Sequence, residues 1–370
     1  MGFDDDDAFS IEAWINTSVS SQRTIMSKML NSGTFRGYDF LIRNGQLELY
    51  LISTWSSQVI NVRGNDLVND GNWHHVAVSY DGTNNANGVK LYVDGVVQTN
   101  TVLRSGSIAG GLTNSADAVL GIRGGNFDFS GQMDEVRIWG NELTQNEIRD
   151  WMTKKVNASH PQIANLISYY RFDENTGTTV SDLVGGNDGT LINAPSWVTS
   201  GAEIGDDVSY TYGGSSISDT TVLGTRISVQ NTTGNPDAIF IYLVNDTAKG
   251  STFPNPSGYD LIDSTSYFGV NMIGGTSYDV LIDLSNNPIF SSNNAIQKAV
   301  VFKRSNGADA TWERVAGFLN VDVANKTITV PGQTGTEYVL GFSNTTYPTE
   351  PGSGYALDFD GSNDYVAATN

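Results

Sequence analysis

Short alternating runs, each closed by glycine, asparagine or aspartate, constrain this chain of 370 residues more than any other feature. SIEAWI, YDFLIR, QLELYLI, HHVAVSY, VKLYVDG and EVRIW occur in the first 140 residues, and DAIFIYLV, SYDVLIDL, KAVVFKR, KTITV and EYVLGF follow after residue 236. β-Branched and aromatic residues at every second position, punctuated by turn formers, are the pattern of antiparallel strands with one wet face. The chain is therefore expected to be nearly all β. One helical stretch stands apart, Leu143 to Val156. There Thr144 and Glu147 have capping-box spacing, and Leu143, Ile148 and Trp151 supply an apolar side.

The length suffices for two or three domains, each with its own core. Residues 1–200 read as one sandwich, whose segment from Leu166 to Val198 is an annex of Gly and Asn turns. A polar linker lies near Thr199 to Asp207, and residues 205–347 read as a second β-sandwich with no recognisable chemistry. Residues 348–370 read as a hinge and a further strand, entered through the Pro- and Gly-rich segment Thr345 to Gly354.

Forty acidic against twenty basic residues give a net charge of −20. Such a surface repels nucleic acid phosphates and anionic membranes, so neither is expected as a partner. Cysteine is absent, which removes disulfides and thiolate chemistry from consideration. No apolar run reaches the roughly 18 to 20 residues of a membrane helix, so membrane insertion is not expected. The residues after Met1 are acidic rather than basic and apolar, so any export signal is expected outside this segment.

FSIEAWI (Phe9 to Ile15), GNWHHVAVSYDG (Gly71 to Gly82), VKLYVDGVV (Val89 to Val97), GQMDEVRIW (Gly131 to Trp139) and LTQNEI (Leu143 to Ile148) occur in that order. Together they closely resemble the laminin G-like, or concanavalin A-like, jelly roll found in large bacterial surface proteins and related to pentraxins. The resemblance implies a jelly-roll sandwich for the first domain. In that family LDFDGSNDYV is the opening strand, yet here it stands at the other end, within Gly354 to Asn370.

A jelly roll without one strand exposes unpaired backbone and an apolar groove, which natural proteins avoid. Leu357, Phe359, Tyr365 and Val366 would supply the apolar side chains of the missing strand. Its source is open: the next copy in one long polypeptide, a neighbouring subunit in a filament, or this chain folding back on itself. The expectation is a repeat unit of an extracellular bacterial filament or giant surface adhesin, joined head to tail to copies of itself.

The resemblance also implies a Ca²⁺ at the sandwich rim. The matching positions are Asp360 and Asp134, with Asn363, Asp364 and backbone oxygen near Gly361 as additions. Hard oxygen ligands on loops suit that ion, though an Asx turn at Asp360 and a strand-edge cap at Asp134 would explain the same residues. Asp173, Asp182, Asn187 and Asp188 lack EF-hand spacing and read as turn chemistry. Asp4 to Asp7 read as a solvated loop.

Adjacent His74 and His75 face opposite sides of a strand and cannot chelate one ion together. Glycoside hydrolases on related folds place alternate acids on one strand face as E-x-D-x-x-E, and that signature is missing, so an enzyme is not expected. The alternative function is a calcium-dependent, lectin-like module for cell-surface or matrix glycans. Trp55, Tyr38, Trp312 and Tyr259 are its candidate stacking aromatics, although core packing uses the same residues. Thr220, Thr247 and Ser264 follow aspartates in a pattern similar to O-glycosylation acceptors of some bacteria, and surface turns explain them equally.

Overall fold

Alternation along β1 (Phe9–Asn16) sends Phe9, Ile11, Ala13 and Ile15 into one core and Ser10, Glu12 and Trp14 to the opposite face. The computed structural model describes residues 1–124, 127–222, 224–248, 259–291, 293–315 and 320–343. In the first sandwich β2 (Arg23–Met29), β3 (Gly37–Arg43), β4 (Gln46–Thr54) and β5 (Gln58–Leu67) follow, then β6 (Trp73–Tyr80), β7 (Val89–Val93), β8 (Val96–Val97), β9 (Thr101–Ser105), β10 (Val119–Leu120) and β11 (Gln132–Trp139). After helix α1 (Gln145–Trp151), β12 (Leu166–Tyr170) returns to pair with β11. The segment read as an annex thus supplies an edge strand of the main sheet.

Two six-stranded antiparallel sheets result, in the orders β12-β11-β1-β6-β7-β8 (sheet A) and β10-β2-β3-β4-β5-β9 (sheet B). Their facing sides close on Tyr38, Phe40, Ile42, Leu47, Leu49 and Leu51 from sheet B and Val76, Val78, Val136 and Ile138 from sheet A. Phe3 stacks on Phe9 at 4.5 Å and plugs one end. Asp4 and Asp5 are half-buried there rather than solvated, because the Asp4 carboxylate accepts the Leu112 amide at 2.8 Å and the Asp5 carbonyl accepts the Tyr80 hydroxyl at 2.9 Å.

Helix α1 carries the expected capping box, with Thr144 and Glu147 satisfying each other's amides, but it is shorter than the sequence suggested. Its last carbonyls are taken from the side: Arg137 donates to Trp151 O at 2.9 Å, and Trp14 Nε1 to Met152 O at 2.6 Å. Beyond it β13 (Thr179–Val180) and β14 (Gly189–Thr190) form a small hairpin. Asp182 accepts amides from Tyr169, Val184 and Asn187 and gives its own to Asp188, the turn chemistry anticipated for that segment.

The second sandwich holds β15 (Asp207–Tyr212), β16 (Ile217–Val222), β17 (Thr225–Thr233), β18 (Ala238–Val244), β19 (Tyr259–Ile262), β20 (Tyr267–Ile273) and β21 (Ser277–Asp283). It ends with β22 (Ala299–Arg304), β23 (Glu313–Arg314), β24 (Asn320–Asp322), β25 (Thr327–Gln333) and β26 (Thr336–Ser343). Sheet β15-β18-β20-β26-β22-β23, with β19 on β26, packs against β16-β17-β21-β25-β24.

Several strands lack the wet face that alternation predicted. Seven of eight residues of β1 and all seven of β18 are buried, because outer faces of the two sandwiches cover each other. Ala77, Tyr92, Trp139, Ile148 and Met152 pack with Ala238 and Phe240 and with half-buried Tyr210 and Tyr212. The segment read as a linker is pinned, with Gly205 bonded to both Thr153 and Lys155. Arg149 lies 3.6 Å over the Tyr212 ring, and the Tyr212 hydroxyl donates to Asp94 O at 2.8 Å.

Candidate functional site

The first sandwich has two outer faces, and the one on sheet A is covered by α1 and the second sandwich. On sheet A, Glu12, His75, Arg137 and Glu135 form a buried charge network beneath α1 and the second sandwich. Glu12 Oε2 lies 3.3 Å from His75 Nε2, Glu12 Oε1 accepts Trp139 Nε1 at 3.0 Å, and Arg137 binds Glu135 at 2.8 Å. Burial alone would raise the Glu12 carboxyl, but His75, Arg137 and Trp139 outweigh it and hold the group at about 2. All four side chains are sealed, so this acid and base pairing serves structure.

His74 points the other way, to Asp94 at 2.8 Å and Asp70 at 3.2 Å, so the two histidines share no ion. Burial would lower His74, yet Asp94 and Asp70 together lift it to about 9.

Sheet B presents a different surface. The alternation that buries Tyr38, Phe40 and Ile42 turns Asp39, Leu41 and Arg43 outward, and in β4 it turns Glu48, Tyr50 and Ile52 outward. Register aligns these into cross-strand rows: Ser27, Asp39, Tyr50, Asn61 and Arg104 in one, Leu41, Glu48 and Arg63 in the next. Glu48 is fully buried and held by Arg63 at 2.6 Å, Asn61 at 3.0 Å and Arg43 at 3.6 Å. Asp39 is fully buried against Arg123 at 3.1 Å. Burial dominates there and pushes its carboxyl up to about 7 despite the guanidinium.

One margin of this face is aromatic. Trp55 stands on the β4–β5 turn, where its amide bonds to Thr34 O at 2.8 Å, and 42% of its surface is exposed. Phe35 meets it edge-on at 6.0 Å, Tyr50 lies at 6.3 Å, and Arg104 from β9 stacks over its ring at 5.0 Å. Behind them Met29, Leu41, Ile52 and Val59 form a small apolar floor.

Of the aromatics singled out in the sequence, Trp55 alone proves both described and exposed. Tyr38 is 1% exposed and Trp312 fully buried, both consumed by core packing, and the Tyr259 side chain lies outside the described residues. Sequence reasoning missed Arg104, Glu48 and Arg63. For Glu48 the signal was present, since it is the lone acid facing away from Leu47, Leu49 and Leu51 in QLELYLI.

Asp134 sits in β11 opposite Trp14, beside a bulge at which Glu135 takes a positive φ of 50°. Its carboxylate accepts the Glu135 amide at 2.8 Å. Burial, opposed by a Ser200 hydroxyl, pushes it up to about 7. Asp360, Gly361, Asn363 and Asp364 lie outside the described residues, as do Leu357, Phe359, Tyr365 and Val366. Among the described residues no three acids or histidines converge closely enough to hold a metal, so Asp134 would need those partners. Thr247 and Ser264 are exposed, whereas Thr220 is 6% exposed and poorly placed for modification. Among the described residues no helix is long and apolar enough to cross a membrane.

A model of the concanavalin A-like lectin/glucanases superfamily, of laminin G type, matches residues 2–149, the first sandwich up to α1. Among solved structures, a candidate carbohydrate binding protein from Bacteroides ovatus is 24% identical with a TM-score of 0.37, covering 52% of this chain and 55% of its own. The chain thus spans little more than half of that protein's length. The CBM40 of the Ruminococcus gnavus IT-sialidase is 17% identical over 39% of this chain and 82% of its own, with a TM-score of 0.34. Domains LG4-5 of mouse laminin α1 are 10% identical over 90% of this chain and 75% of their own, with a TM-score of 0.30. Curated proteins give no match.

Proposed function

We propose that the first sandwich, which belongs over residues 2–149 to the concanavalin A-like lectin/glucanases superfamily, is a carbohydrate-binding module without catalytic activity, working at a cell surface or in the extracellular space. The observation that carries this reading is Trp55, an indole left 42% exposed on the β4–β5 turn at the margin of sheet B, with Phe35, Tyr50 and Arg104 around it. A rigid aromatic plane beside a guanidinium suits a sugar ring, which is apolar on its faces and polar at its edge. The second sandwich supports this use of sheet B by occupying the outer face of sheet A.

A glycan array followed by calorimetry on the hits tests the reading. Trp55→Ala should abolish binding while leaving the melting temperature within about a degree, since the side chain contributes little to either core. Binding that survives this change, or no binding to any glycan, contradicts it. Calcium dependence remains part of the proposal through Asp134, with Asp360, Asn363 and Asp364 as the further oxygen donors, and chelation during the same titration addresses it.

A second reading, joining of copies head to tail, is favoured by the order of motifs, with LDFDGSNDYV following rather than preceding FSIEAWI. Comparing the chain with a form lacking Gly354 to Asn370 for filaments and stability separates the cases. Equal stability, with a full-length form that stays monomeric, would end the strand-donation idea.

A further inference from the structure

We infer that the sheet B site selects a sugar bearing an acidic group, a carboxylate or a sulfate, and that Arg104 is the residue that reads its charge. This rests on the glycan reading above and adds the ligand's chemistry to it.

Four guanidinium groups gather on this face of a chain whose net charge is −20, against two buried carboxylates in the same rows. Three of the four are committed. Arg43 and Arg63 close on Glu48, and Arg123 closes on Asp39 while lying 4.5 Å over Phe127. Arg104 is not committed. It is exposed on the edge strand β9 and has no carboxylate within ion-pair distance among the described residues. Its neighbour in the row, Asn61, is spent on Glu48 and on Leu49 O.

What holds Arg104 in place is the indole of Trp55, 5.0 Å away. The guanidinium carbon sits over the indole, no hydrogen bond engages this side chain among the described residues, and its planar fork of N–H groups matches the two oxygens of a carboxylate or sulfate. Preorganisation of this kind lowers the entropy cost of capture. An exposed indole beside an unpaired, stacked guanidinium thus offers a ring platform and an anion fork side by side.

The test uses the full chain and three probes: an oligogalacturonate, a chondroitin sulfate oligosaccharide and an uncharged cello-oligosaccharide. Calorimetry is run at low and physiological salt on the parent, Arg104→Gln, Arg104→Lys and Trp55→Ala, with thermal melts confirming that each variant folds. Expected are binding of at least one acidic probe in preference to the neutral one, weakening by salt, and a loss of roughly tenfold or more in Arg104→Gln. Arg104→Lys should recover only part, because an ammonium lacks the planar fork. Binding of the oligogalacturonate identifies a carboxylate as the source of the charge, whereas binding of chondroitin sulfate, which carries carboxylates besides its sulfates, identifies sulfate if it is lost on desulfation. Equal affinity for neutral and acidic probes, or acidic binding untouched in Arg104→Gln, overturns this inference while leaving the glycan reading intact. Failure of every probe and of a wider glycan array overturns both.

Discussion

At the scale of single residues, Glu12 shows how the sequence can specify a charge and conceal its purpose. SIEAWI marks Glu12 as facing away from the core, and an outward acid on a strand is ordinarily solvated. The covering of sheet A by α1 and the second sandwich was not legible, because it depends on contacts across more than 100 residues such as those of Trp14 with Met152 and of Asp94 with Tyr212. Its consequence is measurable. A carboxyl held at about 2 when folded adds stability that is fully present above its unfolded value and is lost as pH falls through the folded one. Urea titrations between pH 2 and 6 should show this decline in the parent and a shallower one in Glu12→Gln. Truncation by Glu12→Ala leaves His75 buried without its carboxylate and Arg137 with Glu135 alone, and should cost about 3 to 5 kcal/mol.

Asp39 has the opposite sign. Burial lifts its carboxyl to about 7, so ionisation is delayed in the fold and the residue's contribution falls as pH rises from its unfolded value towards 7. Asp39→Asn should therefore gain on the parent in urea midpoint between pH 5 and pH 8. A gap that stays constant across that range would show that Arg123 compensates the buried charge fully.

Elements were read better than their surroundings. The helix was located by its capping box, and Thr144→Ala should cost about 1 kcal/mol, read as a shift in urea midpoint at constant slope. The turn at Asp94 and Gly95 was legible as the end of VKLYVDG, but its second role was not. A Cβ on Gly95 would stand 2.2 Å from the Tyr212 hydroxyl, so this glycine serves both a φ of +70° and the approach of the other sandwich. Gly95→Ala should destabilise the chain more than an exposed turn normally would, and combining it with Tyr212→Phe in a double-mutant cycle should reveal coupling between the two. DAIFIYLV carried a related hint, since eight residues with scarcely a polar one suit a strand buried on both faces rather than one half in water.

For the whole molecule, the sequence resolved two sandwiches and left their relation blank. Shared packing of Tyr92, Trp139, Phe240 and their neighbours makes them one body among the described residues. Calorimetry should show one main unfolding transition, and Phe240→Ala, at a cost of about 3 to 5 kcal/mol, should lower the stability of both halves together. Two separate transitions, with Phe240→Ala moving one of them, would show instead that the sandwiches unfold independently.

The proposed function depends on the margin of sheet B where Trp55 is exposed. Its most direct test is the affinity of the full chain and of Trp55→Ala for the same immobilised glycan, measured with melting temperatures alongside. The account predicts clear binding by the parent and none by the variant at equal stability. Equal binding by both would place the ligand, and the function, elsewhere on the molecule.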